Sequence, residues 1–141
     1  MPEKPEVITV AKKLSLRLIG KTIDSVSVYW DNMIEGLTPQ EFCEKLKGQQ
    51  ILEITTRGKW LVFHLTDCLL LVHLRMEGKF FFREKGRERG KHEHVIFGLK
   101  EEELRYQDTR KFGKMTILPK EHPEDYPPFS KLGLEPWDFR L

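Results

Sequence analysis

A mainly β fold with flanking helices is predicted by three features of this 141-residue sequence. Near the start, Val7, Val10, Ala11, Leu14 and Leu18 recur at three- and four-residue intervals, the period of one amphipathic helix. After Gly48 the texture changes to short β-prone runs separated by charged or glycine-containing turns, at 51–56, 60–65, 69–73, 79–83, 94–99, 104–106 and 113–118. Many short strands at this spacing point to a sandwich or barrel-like sheet assembly. The closing stretch 119–141, with Pro123, Pro127, Pro128 and Pro136, cannot continue a sheet and is expected to be an irregular strap or linker, leaving 1–118 as the folded body.

The first helix is expected over 5–19, with Pro5 tolerated in its first turn and Gly20 as its stop. Residues 21–29 alternate well enough for a strand (Ile23, Val26, Val28), which Trp30-Asp31-Asn32 ends. Thr38-Pro39-Gln40-Glu41 has Thr at the N-cap, Pro at N1 and Glu at N3, so a short second helix should open there and end near Lys47-Gly48. No internal repeat or low-complexity segment is present.

With 39% hydrophobic and 33% charged residues the composition is that of a globular domain, and no apolar run approaches the roughly 20 residues of a membrane span. No basic-then-apolar leader opens the chain, and a cytoplasmic location is expected. Cys43 and Cys68 are too few for a disulfide framework, have no metal-ligand spacing, and are expected to be reduced thiols. The net charge of +2 announces no partner, but its distribution is uneven. Arg75, Lys79, Arg83, Lys85, Arg87, Arg89 and Lys91 crowd one segment against Glu77, Glu84 and Glu88, a pattern that suits either a phosphate footprint or a solvated charged loop.

Chemistry concentrates in a few stretches. Removal of Met1 would leave Pro2 as a free secondary amine, and a terminal amine titrates at about 7.7–8, so part of it is neutral and nucleophilic near pH 7. Glu3 and Glu6 stand beside it, able to move protons, or to serve simply as acids at a helix N-terminus. Lys59, in the Arg57-Gly58-Lys59 turn, can hold a phosphate as a point charge or be a solvated surface lysine. In His73-Leu74-Arg75-Met76-Glu77-Gly78, Met76 is either an apolar wedge between cations or a core gap-filler. His92 and His94 have the His-x-His spacing but no third ligand close in sequence, so a phosphate contact suits them as well as a metal. Arg110 and Phe112 offer bidentate donors and a stacking ring at one turn, or an ordinary turn with a core Phe.

Taken together, Pro2-Glu3-x-Pro5-Glu6-Val7, Arg57-Gly58-Lys59, His73-Leu74-Arg75-Met76-Glu77-Gly78, His92-x-His94-Val95, Asp108-x-Arg110-x-Phe112-Gly113 and Leu132-Gly133-x-Glu135-Pro136 resemble, in order and spacing, the formamidopyrimidine-DNA glycosylase family. The resemblance covers that family's N-terminal domain and implies a two-layer β-sandwich with an N-terminal helix carrying the catalytic terminus. It implies a bifunctional glycosylase and abasic-site lyase that flips an oxidised purine such as 8-oxoguanine or a formamidopyrimidine out of double-stranded DNA. Pro2 would attack the sugar C1′ to form an imine, Glu3 would shuttle protons, Glu6 would position the sugar and terminus, and Lys59 would bind phosphate and assist strand cleavage. Met76, Arg110 and Phe112 would fill the gap left by the extruded base, Arg110 facing the orphaned cytosine, while His73 and His92 would contact phosphate. Lys4 and Ile8 depart from the family's usual Leu and Glu. The helical domain and four-cysteine zinc finger that the resemblance implies do not follow in these residues, so no cofactor is expected here, and a monomeric fragment of low activity is. The alternative is a non-catalytic module that binds damaged DNA.

Overall fold

In a computed structural model, residues 4–75 and 77–131 are described, with side chains from Glu6 onward. Two four-stranded antiparallel sheets face each other. Strands β1 (Ser25–Val28), β6 (Glu93–Gly98), β7 (Glu102–Gln107) and β5 (Lys79–Glu84) form one sheet in the order β1-β6-β7-β5. The other runs β2 (Ile51–Arg57), β3 (Trp60–Leu65), β4 (Cys68–His73) and β8 (Lys114–Pro119) in sequence. Two separate sheets make this a sandwich and not a closed barrel. Helix α1 (Lys4–Leu18) packs along β2 and β3, and α2 (Pro39–Leu46) against β1.

Apolar side chains from both sheets and both helices build the main core, which includes Leu14, Phe42, Phe63, Val72, Phe97, Leu104 and Tyr106. Strands β3 and β4 are buried on both faces. Leu61, Phe63, Leu70 and Val72 turn into the main core, while Trp60, Val62, Leu69 and Leu71 form a second cluster outside it, closed by Leu118 and Phe129. That double burial is why the sequence there reads as an uninterrupted apolar run and not an alternation. Phe129, fully buried, anchors the proline-rich strap to the outer face through this second cluster. The remainder of the strap, 132–141, lies outside the described residues.

The start of α2 behaves as the sequence requires. Thr38 Oγ1 accepts from the Glu41 amide at 3.0 Å and Glu41 Oε1 accepts from the Thr38 amide at 2.8 Å, closing the capping box. The strand expected over 21–29 shortens to β1. Its first half crosses between the sheets instead: Ile23 N donates to Gln49 O beside β2, and Asp24 N to Gly98 O on β6. A segment shared by two sheets cannot be a regular strand of either. No helix among the described residues is long and apolar enough to cross a membrane.

Candidate active site

Strand register gathers the singled-out residues at one end of the sandwich. Arg57 pairs with Trp60, Trp60 with His73 and His73 with Lys114, so a single row crosses all four strands of the second sheet. Beyond that row lie the three connections that carry the candidates. Gly58 and Lys59 form the two-residue β2–β3 turn, with Gly58 at φ +60°, the left-handed conformation such a hairpin needs at its first turn position. Residues 74–78 link β4 to β5 and bracket Met76, and residues 108–113 link β7 to β8 and carry Arg110 and Phe112. In the first sheet Lys79 pairs with Gln107 and Gln107 with Glu93, which puts His92, just before β6, at the same end.

Helix α1 points its N-terminus to this end as well. Its C-terminal side is tied to the start of β2, Gly20 N donating to Ile51 O at 2.7 Å. A 15-residue helix is about 22 Å long and the seven-residue β2 about 23 Å, so the first turn of α1, with exposed Glu6, reaches the level of Arg57. Pro2 and Glu3 lie outside the described residues, as does Met76.

His73 is buried, with its ring edge-on to Trp60 at 5.0 Å. Its Nδ1 accepts from the Arg75 amide at 3.1 Å. Burial, with the charges of Arg75 and Lys59 adding to it, pulls the imidazole down to about 4, so near neutrality the ring is uncharged and its proton sits on Nε2, a hydrogen-bond donor. Lys59 adjoins Trp60, the cross-strand partner of His73, so Lys59, Arg75 and His73 share one electrostatic neighbourhood. Phe112 is 51% exposed instead of entering the core, and the Arg110 guanidinium stands 5.9 Å from its ring centre. Two non-glycine residues in these loops, Arg75 (φ +56°) and Lys111 (φ +61°), adopt left-handed backbone, a strain typical of functional loops.

The two histidines of the His-x-His stretch divide their work. A register shift between Glu93 and Val95 separates them. His94 is buried, and its Nε2 donates to the Asp108 carbonyl at 2.7 Å. His92 Nδ1 is buried with no hydrogen-bond partner among the described residues. No group of three potential metal ligands occurs among the described residues.

The loops are held by residues to which the sequence reading gave no role. Asp108 organises its turn: Oδ1 accepts from the Arg110 and Lys111 amides at 3.2 and 3.1 Å, and Oδ2 from the Gly113 amide at 2.7 Å and the Tyr106 hydroxyl at 3.0 Å. Arg105, with its side chain 2% exposed, pairs with Glu93 and Glu103 and donates to the carbonyls of Arg87 and Glu88, which fixes the basic loop before His92. Asp-x-Arg at the end of a strand was the available sign for Asp108. An arginine flanked by acids in a charged strand gave none for Arg105.

The family model for the formamidopyrimidine-DNA glycosylase N-terminal domain matches residues 1–115. The chain belongs to the formamidopyrimidine-DNA glycosylase family. It is 46% identical over 137 residues to the formamidopyrimidine-DNA glycosylase of Enterococcus faecalis, covering 96% of this chain and 49% of that protein. Against the Bacillus subtilis enzyme of the same name it is 44% identical over 138 residues, with 96% and 50% covered. The chain thus spans about half the length of the curated relatives it matches. Its fold is similar to that of Lactococcus lactis Fpg in complex with abasic-site-containing DNA, with a TM-score of 0.84, 34% identity, and 92% of this chain and 48% of that one covered. It is likewise similar to the L. lactis FPG (MutM) complex with FAPY-dG-containing DNA, with a TM-score of 0.82, 34% identity, and 90% and 47% covered. One end of the sandwich thus collects Lys59, His73, His92, Arg110 and Phe112.

Proposed function

We propose that this chain is the N-terminal half of a bifunctional DNA glycosylase and abasic-site lyase that removes oxidised purines, such as 8-oxoguanine or formamidopyrimidine, from double-stranded DNA. The observation that carries the reading is the convergence at one sandwich end of the Lys59 turn, the 74–78 loop, the 108–113 turn and the first turn of α1. After loss of Met1, the Pro2 nitrogen attacks C1′ of the damaged nucleotide and the bond from C1′ to the base breaks as the base takes up a proton; the bond from C1′ to the ring oxygen then opens, with Glu3 carrying the proton lost by the Pro2 nitrogen to that oxygen, which leaves the C1′ imine that borohydride reduces. Glu6 orients the sugar from the first turn of α1. Lys59, His73 through Nε2, and His92 hold backbone phosphates, and Lys59 also supports elimination at the 3′ side. Arg110 and Phe112, with Met76, occupy the space vacated by the base.

The folded body ends at residue 118, and 119–141 is a strap leading toward the part of the family protein outside this chain. That remainder would supply further phosphate contacts and the zinc finger, so binding by this half is expected to be weak and to fall steeply with salt.

Borohydride trapping on a duplex with one abasic site tests the chemistry. The chain with Met1 removed is expected to give a covalent adduct at low ionic strength, and a form with an uncleavable residue before Pro2 should give none. Absence of any adduct from the processed chain refutes catalysis by this half. Binding that survives without an adduct, and weakens with Arg110→Ala, would support a non-catalytic damaged-DNA-binding module in its place.

A further inference from the structure

The two loops assigned to gap filling meet at one atom. Tyr106 is the penultimate residue of β7, paired with Phe80 on β5 and Val95 on β6, fully buried, with its ring edge-on to Phe80 at 5.4 Å. Its hydroxyl donates to Asp108 Oδ2 at 3.0 Å, beside the Gly113 amide that donates to the same oxygen at 2.7 Å. A Cβ at Gly113 or at Gly78 would fall well inside 3.0 Å of that hydroxyl, so the phenol oxygen presses on the backbone of both glycines. Gly78 closes the 74–78 loop, its amide donating to the Leu74 carbonyl at 2.9 Å, and Gly113 closes the 108–113 turn. Burial first, then the charge and hydrogen bond of Asp108, push the phenol above its ordinary range, so it stays a donor at any working pH. A core tyrosine would pack equally well without facing glycine on two different loops. Here both positions lack a side chain where the hydroxyl sits.

We propose that Tyr106 is a positioning residue: its hydroxyl, wedged between Gly78 and Gly113 and tied to Asp108, sets the distance between the loop bearing Met76 and the turn bearing Arg110 and Phe112, so that the gap-filling groups enter a duplex as one unit. The inference rests on the DNA function proposed above and names a determinant of its preference for a vacated base position.

The test is Tyr106→Phe, which deletes one atom and keeps the ring. Affinities are measured by fluorescence anisotropy for a duplex containing a tetrahydrofuran abasic analogue and for the same duplex undamaged, with 2-aminopurine opposite the analogue reporting insertion. The expected result is a loss of about five- to tenfold in preference for the abasic duplex, the scale of one buried hydrogen bond. Binding to the undamaged duplex should be unchanged and the 2-aminopurine signal altered. In an Arg110→Ala background the same change should cost less than in the wild-type chain, because part of its effect runs through Arg110. Asp108→Asn, which exchanges one of the two accepting oxygens for an NH2 donor and so weakens the hold on the phenol, is the second variant and should reproduce the loss. Phe80→Leu, which loosens packing on the same ring, should lower thermal stability and leave the preference intact. Wild-type preference in Tyr106→Phe, equal erosion by Phe80→Leu, or additivity with Arg110→Ala overturns the positioning role. A wild-type chain with no preference for the abasic duplex overturns the DNA function as well, and so separates the two failures.

Discussion

Replacing Arg105 by Met should be among the most damaging single changes in the protein, although Arg105 touches none of the proposed reacting groups. Its guanidinium pairs with Glu93 Oε1 at 2.7 Å and Glu103 Oε1 at 2.6 Å, and those acids expose only 9% and 16% of their side chains. It also satisfies the carbonyls of Arg87 and, at 3.0 Å, Glu88. Methionine fills most of the stem volume, so packing changes little and the cost comes from two stranded carboxylates and two orphaned carbonyls. Removing one partner of a buried ion pair costs about 3–5 kcal/mol. For a domain of this size that corresponds to a fall in Tm of about 10–17 °C. Urea unfolding gives the stability change directly, and hydrogen exchange should show faster exchange in the 87–92 loop. Adding Glu93→Gln and Glu103→Gln to Arg105→Met removes the stranded charges and should recover at least half of the loss. A single-variant cost under about 1 kcal/mol, or a triple variant as unstable as the single, would refute the claim that charge stranding, and not packing, sets the penalty.

Three further outcomes follow from the same geometry. His73 ionises only near pH 4 when folded but at its ordinary 6.5 when unfolded, so the unfolded chain takes up the proton first; stability should fall by about 3 kcal/mol as pH drops from 6.5 to 4 and then level off. His94 is shifted in the same direction, so the His73 share is the part of the slope that disappears in His73→Gln when urea unfolding is repeated across this window; an unchanged slope would contradict the assignment. Thr38→Ala opens the capping box of α2 and should cost about 1 kcal/mol in the same assay. Gly113→Ala drives a Cβ into the immobile Tyr106 ring and should cost about 2–3 kcal/mol, against about 1 kcal/mol for Gly20→Ala, where the space is open and only a φ of +89° is strained.

How far the molecule could be read from its residues differs between elements and site. Helix α1 follows from the recurrence of Val7, Ala11, Leu14 and Leu18, α2 from the Thr38-to-Glu41 box, and β2 to β8 from short β-prone runs between turns, because each rests on interactions within a few residues. The sequence by itself therefore determined the element list, the fold class and, through six ordered motifs, the family. The residue patterns apart from that resemblance left open whether Phe112 is a core residue or an exposed one, whether the sheets close into a barrel, and how far the 21–29 run continues as a strand. Those points depend on partners distant along the chain. The row Arg57–Trp60–His73–Lys114 exists only once three strand pairings are in register, and the wedge of Tyr106 between Gly78 and Gly113 exists only once β5, β7 and β8 have met. Arg105 is the extreme case: in sequence it is one more cation in a charged run, and only burial, which withdraws water from it and from Glu93 and Glu103 together, turns that charge into the clamp on the basic loop.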